Sequence, residues 1–195
     1  MDILKVIKER KTIRKYKDKP IPKEIIEKII EAGRWGPSLM GPGFQPWKFI
    51  IIEDKKIISS ISNLLSSKAK ESGIGINTIL RGSSNVISNS RIIILVYSTA
   101  PLSRWVGKIY EYYENFAKLA ELAAISAAIQ NMILTAHSCN IGSCWLDAPL
   151  FCEKEINELI KKDDKLIAVL TLGYSCEKGV RAKRKILSEI VEYIR

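Results

Sequence analysis

The chain has 195 residues and a formal net charge of +10, from 31 Lys and Arg against 21 Asp and Glu. Hydrophobic residues make up 47% of the sequence and charged residues 27%, which is typical of globular proteins and excludes an intrinsically disordered chain. This length is enough for one buried core, and the sequence has no repeat or interdomain linker, so a single domain over 1–195 is predicted.

The N-terminal part is predicted to be a helix, an extended segment and a second helix. Asp2 is placed to cap the first helix, and the loosely alternating segment 10–19 follows it. Pro22 begins the second helix, which ends near Gly33. The first helix has apolar residues on one side: Ile3, Leu4 and Ile7.

The rest of the chain mixes strands and helices without a strict alternation, which predicts an α+β fold. Runs of β-branched and apolar residues predict strands at 48–54, 91–98, 141–147 and 165–175. Helical periodicity predicts helices at 55–70, 110–140 and 152–162, and a short final element at 186–194. The Gly-, Ser- and Asn-rich segment 73–90 is compatible with either a loop or a helix.

Two apolar features bear on the location of the protein. The N-terminal sequence carries charges throughout and has no apolar signal core, so a cytoplasmic protein is expected. The longest apolar stretch, 119–139, contains Glu121 and His137, and we interpret it as a buried core helix rather than a membrane span. We expect His137 itself to be a core or interface residue.

The four Cys have spacings of neither zinc nor iron–sulfur sites, so no metal is predicted.

The basic surplus is concentrated near both ends of the chain. Seven Lys and Arg lie within 8–19 and four within 181–185. A surplus of this kind is typical of proteins that bind nucleic acid, an anionic membrane or an anionic small molecule. The two clusters are compatible with one phosphate site assembled from both ends of the chain, or with two separate solvated surfaces.

The connection between the second helix and the first strand is unusual. The segment 33–52 contains three Pro, four Gly and two Trp just ahead of strand-forming residues. A simple connection needs none of these, so the loop is predicted to hold a defined backbone beside a flat or charged ligand. The alternative is a structural turn that packs Trp35 and Trp47 into the core, and both interpretations can hold together.

Several segments, in order along the chain, resemble the FMN-dependent nitroreductase family. Arg-Lys-Thr-Ile-Arg at 10–14 resembles its N-terminal Arg-Arg-Ser-x-Arg signature, and Gln-Pro-Trp at 45–47 resembles the start of its first strand. The long helix with the strand Gly-Ser-Cys-Trp-Leu-Asp, and the closing strand with its basic loop, are also similar to that family. The chain is identified as a member on these segments together.

The resemblance implies a nitroreductase-like fold, with a mainly antiparallel central sheet flanked by helices, in an intertwined homodimer. It implies FMN as the cofactor, with the chemistry carried by FMN and no catalytic side chain. NAD(P)H would reduce FMN by hydride transfer and leave, and a nitroaromatic, quinone or similar flat acceptor would then be reduced in a ping-pong scheme. Neither nucleic acid nor a membrane is an implied partner.

The resemblance also implies which residues bind FMN. Arg10, Thr12 and Arg184, with Lys11 and Lys183 beside them, would hold the phosphate. These residue types suit the role because guanidinium forks and hydroxyl donors bind phosphate oxygens.

Other implied contacts are to the flavin ring. Arg14 would lie at the pyrimidine edge, where a positive charge favours the reduced anionic flavin. The backbone N–H groups of Leu146 and Asp147 would face the reactive edge. Residues of the unusual loop would lie on the flavin of the partner subunit: Pro37, Ser38, Leu39 and Gln45.

Alternatives to the general activity remain. The stretch between Ser38 and Gln45 is longer than is usual in the family and lacks its usual Asn, as expected for a specialised member that removes halogens, oxidises heterocycles or breaks down flavin. The aromatic stretch 105–113 is either a substrate cover or an ordinary packed helix. A basic nucleic-acid-binding module is the alternative outside the family, although the chain has no helix-turn-helix or zinc pattern.

Overall fold

A computed structural model of the protein describes residues 2–38, 44–107 and 113–194. The helices of these ranges are α1 Ile3–Glu9, α2 Lys23–Arg34, α3 Lys55–Glu71, α4 Ile74–Ser88, α5 Pro101–Gly107, α6 Glu114–Ser138 and α7 Glu153–Ile160. The strands are β1 Trp47–Ile52, β2 Ile92–Ser98, β3 Gly142–Leu146 and β4 Lys165–Gly173. Short 3-10 helices span Ala148–Cys152 and Leu187–Glu189.

The strands form one sheet in the order β1-β2-β4-β3, and all three neighbouring pairs are antiparallel. The segment predicted to be extended runs along the free edge of β3, where Thr12 pairs with Ser143, and it pairs further on through Tyr16 and Ser175. The predicted α+β fold with a mainly antiparallel sheet is confirmed.

Helices cover both faces of the sheet. α3, α4 and the Ala148–Cys152 helix pack on one face, and α2 and α6 pack on the other. β2 is buried along its whole length because alternate side chains enter each layer. Its odd-numbered apolar residues, such as Ile93, lie in the first layer and its even-numbered ones, such as Ile94, in the second.

α6 is the longest helix of the described ranges and, by length and composition alone, could cross a membrane. Its inner side packs on α2 and the sheet, and 44% of its most apolar stretch is buried within this chain. That packing is typical of a core helix, as the sequence predicts. Its outer side leaves Phe116, Leu119 and Leu122 exposed.

The segment 73–90, undecided from sequence, is the helix α4. Its small residues allow close packing on α3, where the Ser84 hydroxyl lies 2.8 Å from the Ser62 hydroxyl and 2.7 Å from that of Ser66. Asn77, at the start of α4, donates to the Ala69 carbonyl near the end of α3. Serine contacts of this kind carry no apolar periodicity, and the sequence pattern therefore does not reveal them.

The apolar residues on one side of α1, Ile3, Leu4 and Ile7, are exposed, and the helix buries Val6 instead. The alternative interpretation of the loop after α2, which packs Trp35 into the core, is wrong for that residue. Trp35 is 71% exposed and does not pack into the core, because it caps the end of α2 and its indole N–H donates to Glu31. Trp47 does pack against the layer formed by α2 and α6.

Candidate functional site

The two basic clusters meet in space. Thr12 pairs with Val180 as well as with Ser143, and this pairing brings the two ends of the chain to one edge of the sheet. The result is a cavity of about 420 Å³, which we call the basic cavity. Its lining contains Arg10, Lys11, Thr12 and Arg184, four of the five residues that sequence reasoning assigned to a phosphate.

The basic cavity holds positive charge that the chain does not neutralise. Its charged lining residues are Lys8, Arg10, Lys11, Arg181 and Arg184, with no acidic residue in the part of the lining that the structure describes. None of these five forms an ion pair with a described residue. The cavity therefore suits a multiply charged anion, for which guanidinium groups are effective donors.

Two of these cations are held by backbone carbonyls. Arg181 Nη2 donates to the Lys8 carbonyl at 2.9 Å, and Lys11 Nζ donates to the Lys178 carbonyl at 3.2 Å. The guanidinium groups of Arg10 and Arg184 have no hydrogen-bond partner among the described residues, so their donors remain available for a ligand.

The charged lining of the cavity differs from the sequence prediction in three residues. Lys183 is exposed and does not line it, whereas Lys8 and Arg181 do. Both belong to the basic clusters recognised in the sequence. Charge alone could not select them, because the choice depends on how the end of α1, which carries Lys8, and the segment at Arg181 are placed against each other in the fold.

Arg14 occupies a different position from Arg10 and Thr12. It does not line the basic cavity, and its backbone N–H donates to Glu177 Oε1 at 2.6 Å. Its charge acts on Cys144 of β3: burial raises the pKa of that thiol to about 11, and the positive charge of Arg14 opposes the rise. Arg14 is thus near β3 rather than near the predicted phosphate position.

The predicted ring-edge residues lie at the end of β3. Leu146 is buried in the layer formed by α3 and α4, and Asp147 is exposed just beyond the strand. The Asp147 carboxylate accepts a hydrogen bond of 2.7 Å from Trp145 Nε1. Like Arg14, it influences the Cys144 thiol, because its negative charge raises the pKa.

The predicted loop residues lie away from the basic cavity of their own chain. Pro37 and Ser38 are exposed after α2, and Gln45 is exposed just before β1. Leu39 and the rest of 39–43 lie outside the described residues.

Both ends of this loop are fixed. A Cβ atom at Gly36 would lie 2.9 Å from the Ala128 Cβ of α6, so the end of α2 approaches α6 closely. At the other end, the Thr99 N–H donates to the Pro46 carbonyl at 2.7 Å. The loop is thus held at α6 and at the end of β2.

The aromatic stretch predicted as a substrate cover contacts the other end of the same loop. The rings of Phe44 and Trp105 meet edge to face with centroids 6.2 Å apart, and Trp105 is half exposed. α5, which carries Trp105, begins at the buried Glu121 carboxylate, which accepts from Leu102 N and Ser103 N. Residues 108–112 of the stretch lie outside the described ranges.

His137 lines a second cavity of about 270 Å³ on the other side of the segment 10–14. The side chain is half-buried, and desolvation lowers its pKa. Glu9 opposes that shift, while Arg10 and Lys11 reinforce it. Within the described ranges, no group of three or more His, Cys, Asp or Glu could hold a metal ion.

Comparison with known proteins agrees with the fold. The profile of the Nitroreductase family matches residues 7–174, most of the chain. The chain therefore belongs to the nitroreductase family, and the predicted family, enzyme class and FMN cofactor are confirmed. The chemistry of the basic cavity fits the dianionic phosphate of FMN.

Individual relatives are distant but similar over nearly the whole chain. A Methanothermobacter thermautotrophicus protein, provisionally named an NADH dehydrogenase/NAD(P)H nitroreductase, is 28% identical over 91% of this chain and 79% of its own. An iodotyrosine deiodinase of Nematostella vectensis is 24% identical over 97% of this chain and 74% of its own. A BluB-like flavoprotein structure from Clostridium difficile has a TM-score of 0.81 at 23% identity and is covered completely, as is this chain.

Proposed function

We propose that the protein is a cytoplasmic, single-domain NAD(P)H-dependent oxidoreductase that binds the phosphate of FMN in the basic cavity and acts on flat acceptors. The basic cavity carries the proposal, because its cations lack ion-pair partners among the described residues and suit a dianion. FMN, when bound, takes a hydride from NAD(P)H and passes two electrons to an acceptor such as a nitroaromatic or a quinone.

The residues divide into two functional groups. Arg10 and Arg184 bind phosphate oxygens from opposite ends of the chain, and the Thr12 hydroxyl adds a neutral donor. Arg14, together with the backbone of Leu146 and Asp147, faces the ring from the end of β3. This division is supported by the presence of Arg10 in the basic cavity and of Arg14 outside it.

A homodimer is part of the proposal. Exposed apolar side chains occur on α1, on α6 and in the tail 186–194, and we call them the exposed apolar residues. A folded chain rarely leaves so many large apolar side chains in water. A second copy would cover them and bring Pro37, Ser38 and Gln45 to the flavin of the partner. The exposed apolar residues are Ile3, Leu4, Ile7, Phe116, Leu119, Leu122, Ile186, Leu187, Ile190, Val191, Tyr193 and Ile194.

The experiment that tests the proposed function has two stages. Purified protein is first titrated with FMN, and retention of the yellow cofactor after desalting is measured. The holoenzyme is then reduced anaerobically with NADH or NADPH and mixed with a panel of nitroaromatics and quinones. Saturable FMN binding and reoxidation by at least one acceptor class are expected. A protein that binds no FMN, or a bound flavin that neither nicotinamide reduces, would overturn the proposal.

Reductive dehalogenation is the second candidate function. The similarity to the Nematostella vectensis iodotyrosine deiodinase extends over 97% of this chain, which favours this candidate among the specialised activities. The same reduced holoenzyme is mixed with iodotyrosine, and released iodide is measured beside nitroaromatic reduction. Iodide release with the higher catalytic efficiency would select dehalogenation over the general activity.

A further inference from the structure

We infer that Tyr16 is a positioning residue: its hydroxyl and ring hold the segment 10–16 on the sheet so that Arg10, Thr12 and Arg14 meet FMN. The inference rests on the proposed function, because it assigns the purpose of this anchoring to cofactor binding. Tyr16 itself does not line the basic cavity, so any effect on FMN is exerted through the segment.

The Tyr16 hydroxyl joins the segment to the centre of the sheet. It donates to the Ile13 carbonyl at 2.6 Å and lies 2.7 Å from the Thr171 hydroxyl of β4. A phenol has one proton, so Thr171 is the donor in the second hydrogen bond. Thr171 is fully buried and Tyr16 nearly so, which keeps water from replacing either partner.

Glycines receive the inward side chains of the segment. A Cβ atom at Gly173 would lie 2.7 Å from the Tyr16 ring, and one at Gly142 would lie 2.8 Å from Ile13 Cβ. Gly179 has φ +62° and also faces Ile13, whose Cδ1 would lie 2.8 Å from an added Cβ. A side chain at Gly142 or Gly173 would push the segment away from β3 or β4, and one at Gly179 would be strained by its positive φ and would crowd Ile13.

The anchor fixes the direction of every side chain in the segment. With Ile13 and Tyr16 held against the sheet, Arg14 and Lys15 must point to solvent, and both are exposed. A displaced segment would move Arg10, Lys11 and Thr12 out of their positions in the lining of the basic cavity. Burial raises the pKa of the Tyr16 phenol, so it remains a neutral donor at physiological pH.

The chain provides a matched control for the hydroxyl. Tyr97 on β2 is also buried, and its hydroxyl donates to Asn157 Oδ1 at 2.7 Å. Each Tyr→Phe substitution removes one buried hydroxyl group and its hydrogen bonds. Only Tyr16 belongs to the segment 10–16. Tyr97→Phe therefore measures the effect of lost stability without displacement of the segment.

The test compares Tyr16→Phe, Tyr97→Phe and the unaltered protein. FMN dissociation constants are measured by fluorescence, and amide hydrogen exchange is followed at Ile13 and Lys17, which donate to Ser143 and Tyr174. For Tyr16→Phe we expect faster exchange at both amides and about tenfold weaker FMN binding, which is the lower end of the loss seen when the hydrogen-bond partners that orient metal ligands are removed. Tyr97→Phe should lower the melting temperature but leave FMN binding and these amides unchanged.

Two further pairs keep the test decisive if Tyr16→Phe folds poorly. Thr171→Val removes the hydroxyl contact and should weaken FMN binding, whereas Thr171→Ser keeps it and should restore affinity. Gly173→Ala should displace the Tyr16 ring and weaken FMN binding. Gly82→Ala, which places no atom within 4 Å of its added Cβ, should leave FMN binding unchanged.

The outcomes separate the two proposals. Equal FMN affinity in Tyr16→Phe and the unaltered protein, or an equal loss in Tyr97→Phe, would overturn the positioning role and leave the proposed function intact. An unaltered protein that binds no FMN would overturn the proposed function, and unchanged exchange at Ile13 and Lys17 in Tyr16→Phe would then overturn the anchoring as well.

Discussion

The basic cavity and the exposed apolar residues both come largely from the two ends of the chain. They differ because the first is formed within a single chain, whereas the second are left uncovered by it. The segment 10–16 is paired with β3 and buries Ile13 and Tyr16 within its own chain. The tail 186–194, only a few residues beyond Arg184, leaves Ile194 95% exposed. One chain thus assembles the complete basic cavity but leaves many apolar side chains exposed.

The difference indicates how the proposed active site is divided between chains. A phosphate needs charge and donors, and a single chain supplies these around one cavity. A flat ring needs apolar cover on its faces, and Pro37, Ser38 and Gln45 do not reach the cavity of their own chain.

The largest effect is expected at the exposed apolar residues. The double variant Leu119→Asp, Ile190→Asp should raise the dimer dissociation constant at least about a hundredfold, since each buried aliphatic side chain contributes about 1.5–3 kcal/mol. Sedimentation equilibrium measures the change. The unaltered protein should be a dimer that buries more than about 2,000 Å² in total.

The control for this experiment is Ile74→Asp on α4. Ile74 is 92% exposed but lies outside the three segments that carry the exposed apolar residues. It should leave dimerisation unchanged. A folded, flavin-loaded monomer of the unaltered protein at micromolar concentration would contradict the prediction.

The next effect is expected in the basic cavity. Under the proposed function, Arg10→Ala and Arg184→Ala should each remove a charge-assisted phosphate contact of about 1.5–3 kcal/mol and weaken FMN binding roughly tenfold to a hundredfold. Flavin fluorescence titration measures the affinity. Lys70→Ala, on the exposed side of α3, is the matched control, and Lys183→Ala should have a smaller effect because Lys183 does not line the cavity. Equal losses in all four variants would refute the phosphate assignment.

Much of this architecture could be predicted from the sequence because its signals are local. The apolar runs of β2 and β4, and the cap at Asp2, each specify an element within a few residues. The family signature at 10–14 then linked the N-terminal basic cluster to an anion. Which basic residues share a cavity could not be predicted, because the selection of Arg181 over Lys183 depends on long-range pairing of Thr12 with Val180.

Which apolar residues are covered, and which distant side chains meet, could not be predicted from the sequence for a different physical reason. The sequence marks a residue as apolar but does not say which surface covers it. Ile3, Leu4 and Ile7 are apolar yet exposed within one chain. Tyr16 and Thr171 form a contact across 155 residues, which no periodicity reveals.

A smaller effect is expected at Arg14. A variant of this residue distinguishes a contact to the flavin ring from a contact to the phosphate. Arg14→Gln removes a positive charge that favours the reduced anionic flavin, so the two-electron potential should fall by roughly 30–60 mV, where 30 mV corresponds to about 1.4 kcal/mol. Oxidised FMN should bind nearly as before. Spectroelectrochemistry on FMN-saturated protein measures the potential, with Arg10→Ala as the comparison. An unchanged potential in Arg14→Gln, or an equal fall in Arg10→Ala, would mean that Arg14 does not face the ring.

The smallest effect is expected at His137, the single histidine of the chain, which lies behind the basic segment on α6. Desolvation lowers its pKa from the ordinary value of 6.5, and Arg10 and Lys11 reinforce the shift while Glu9 opposes it. The unfolded chain therefore binds more protons than the folded chain at acid pH. The stabilising contribution is present above about pH 6.5 and is lost as the pH falls through the pKa of the folded state.

His137→Asn should therefore flatten the dependence of the free energy of unfolding on pH below about pH 6.5, measured by urea denaturation at a series of pH values. Bound FMN should raise the pKa of His137, because a phosphate dianion beside Arg10 and Lys11 offsets the charges that lower it. NMR titration of the lone imidazole measures both states without interference from another histidine. In the absence of FMN, Arg10→Ala should also raise the pKa of His137, since it removes one of the two cations. If FMN binds but leaves that pKa unchanged, the phosphate does not lie beside Arg10 and Lys11, and the basic cavity is not the cofactor site.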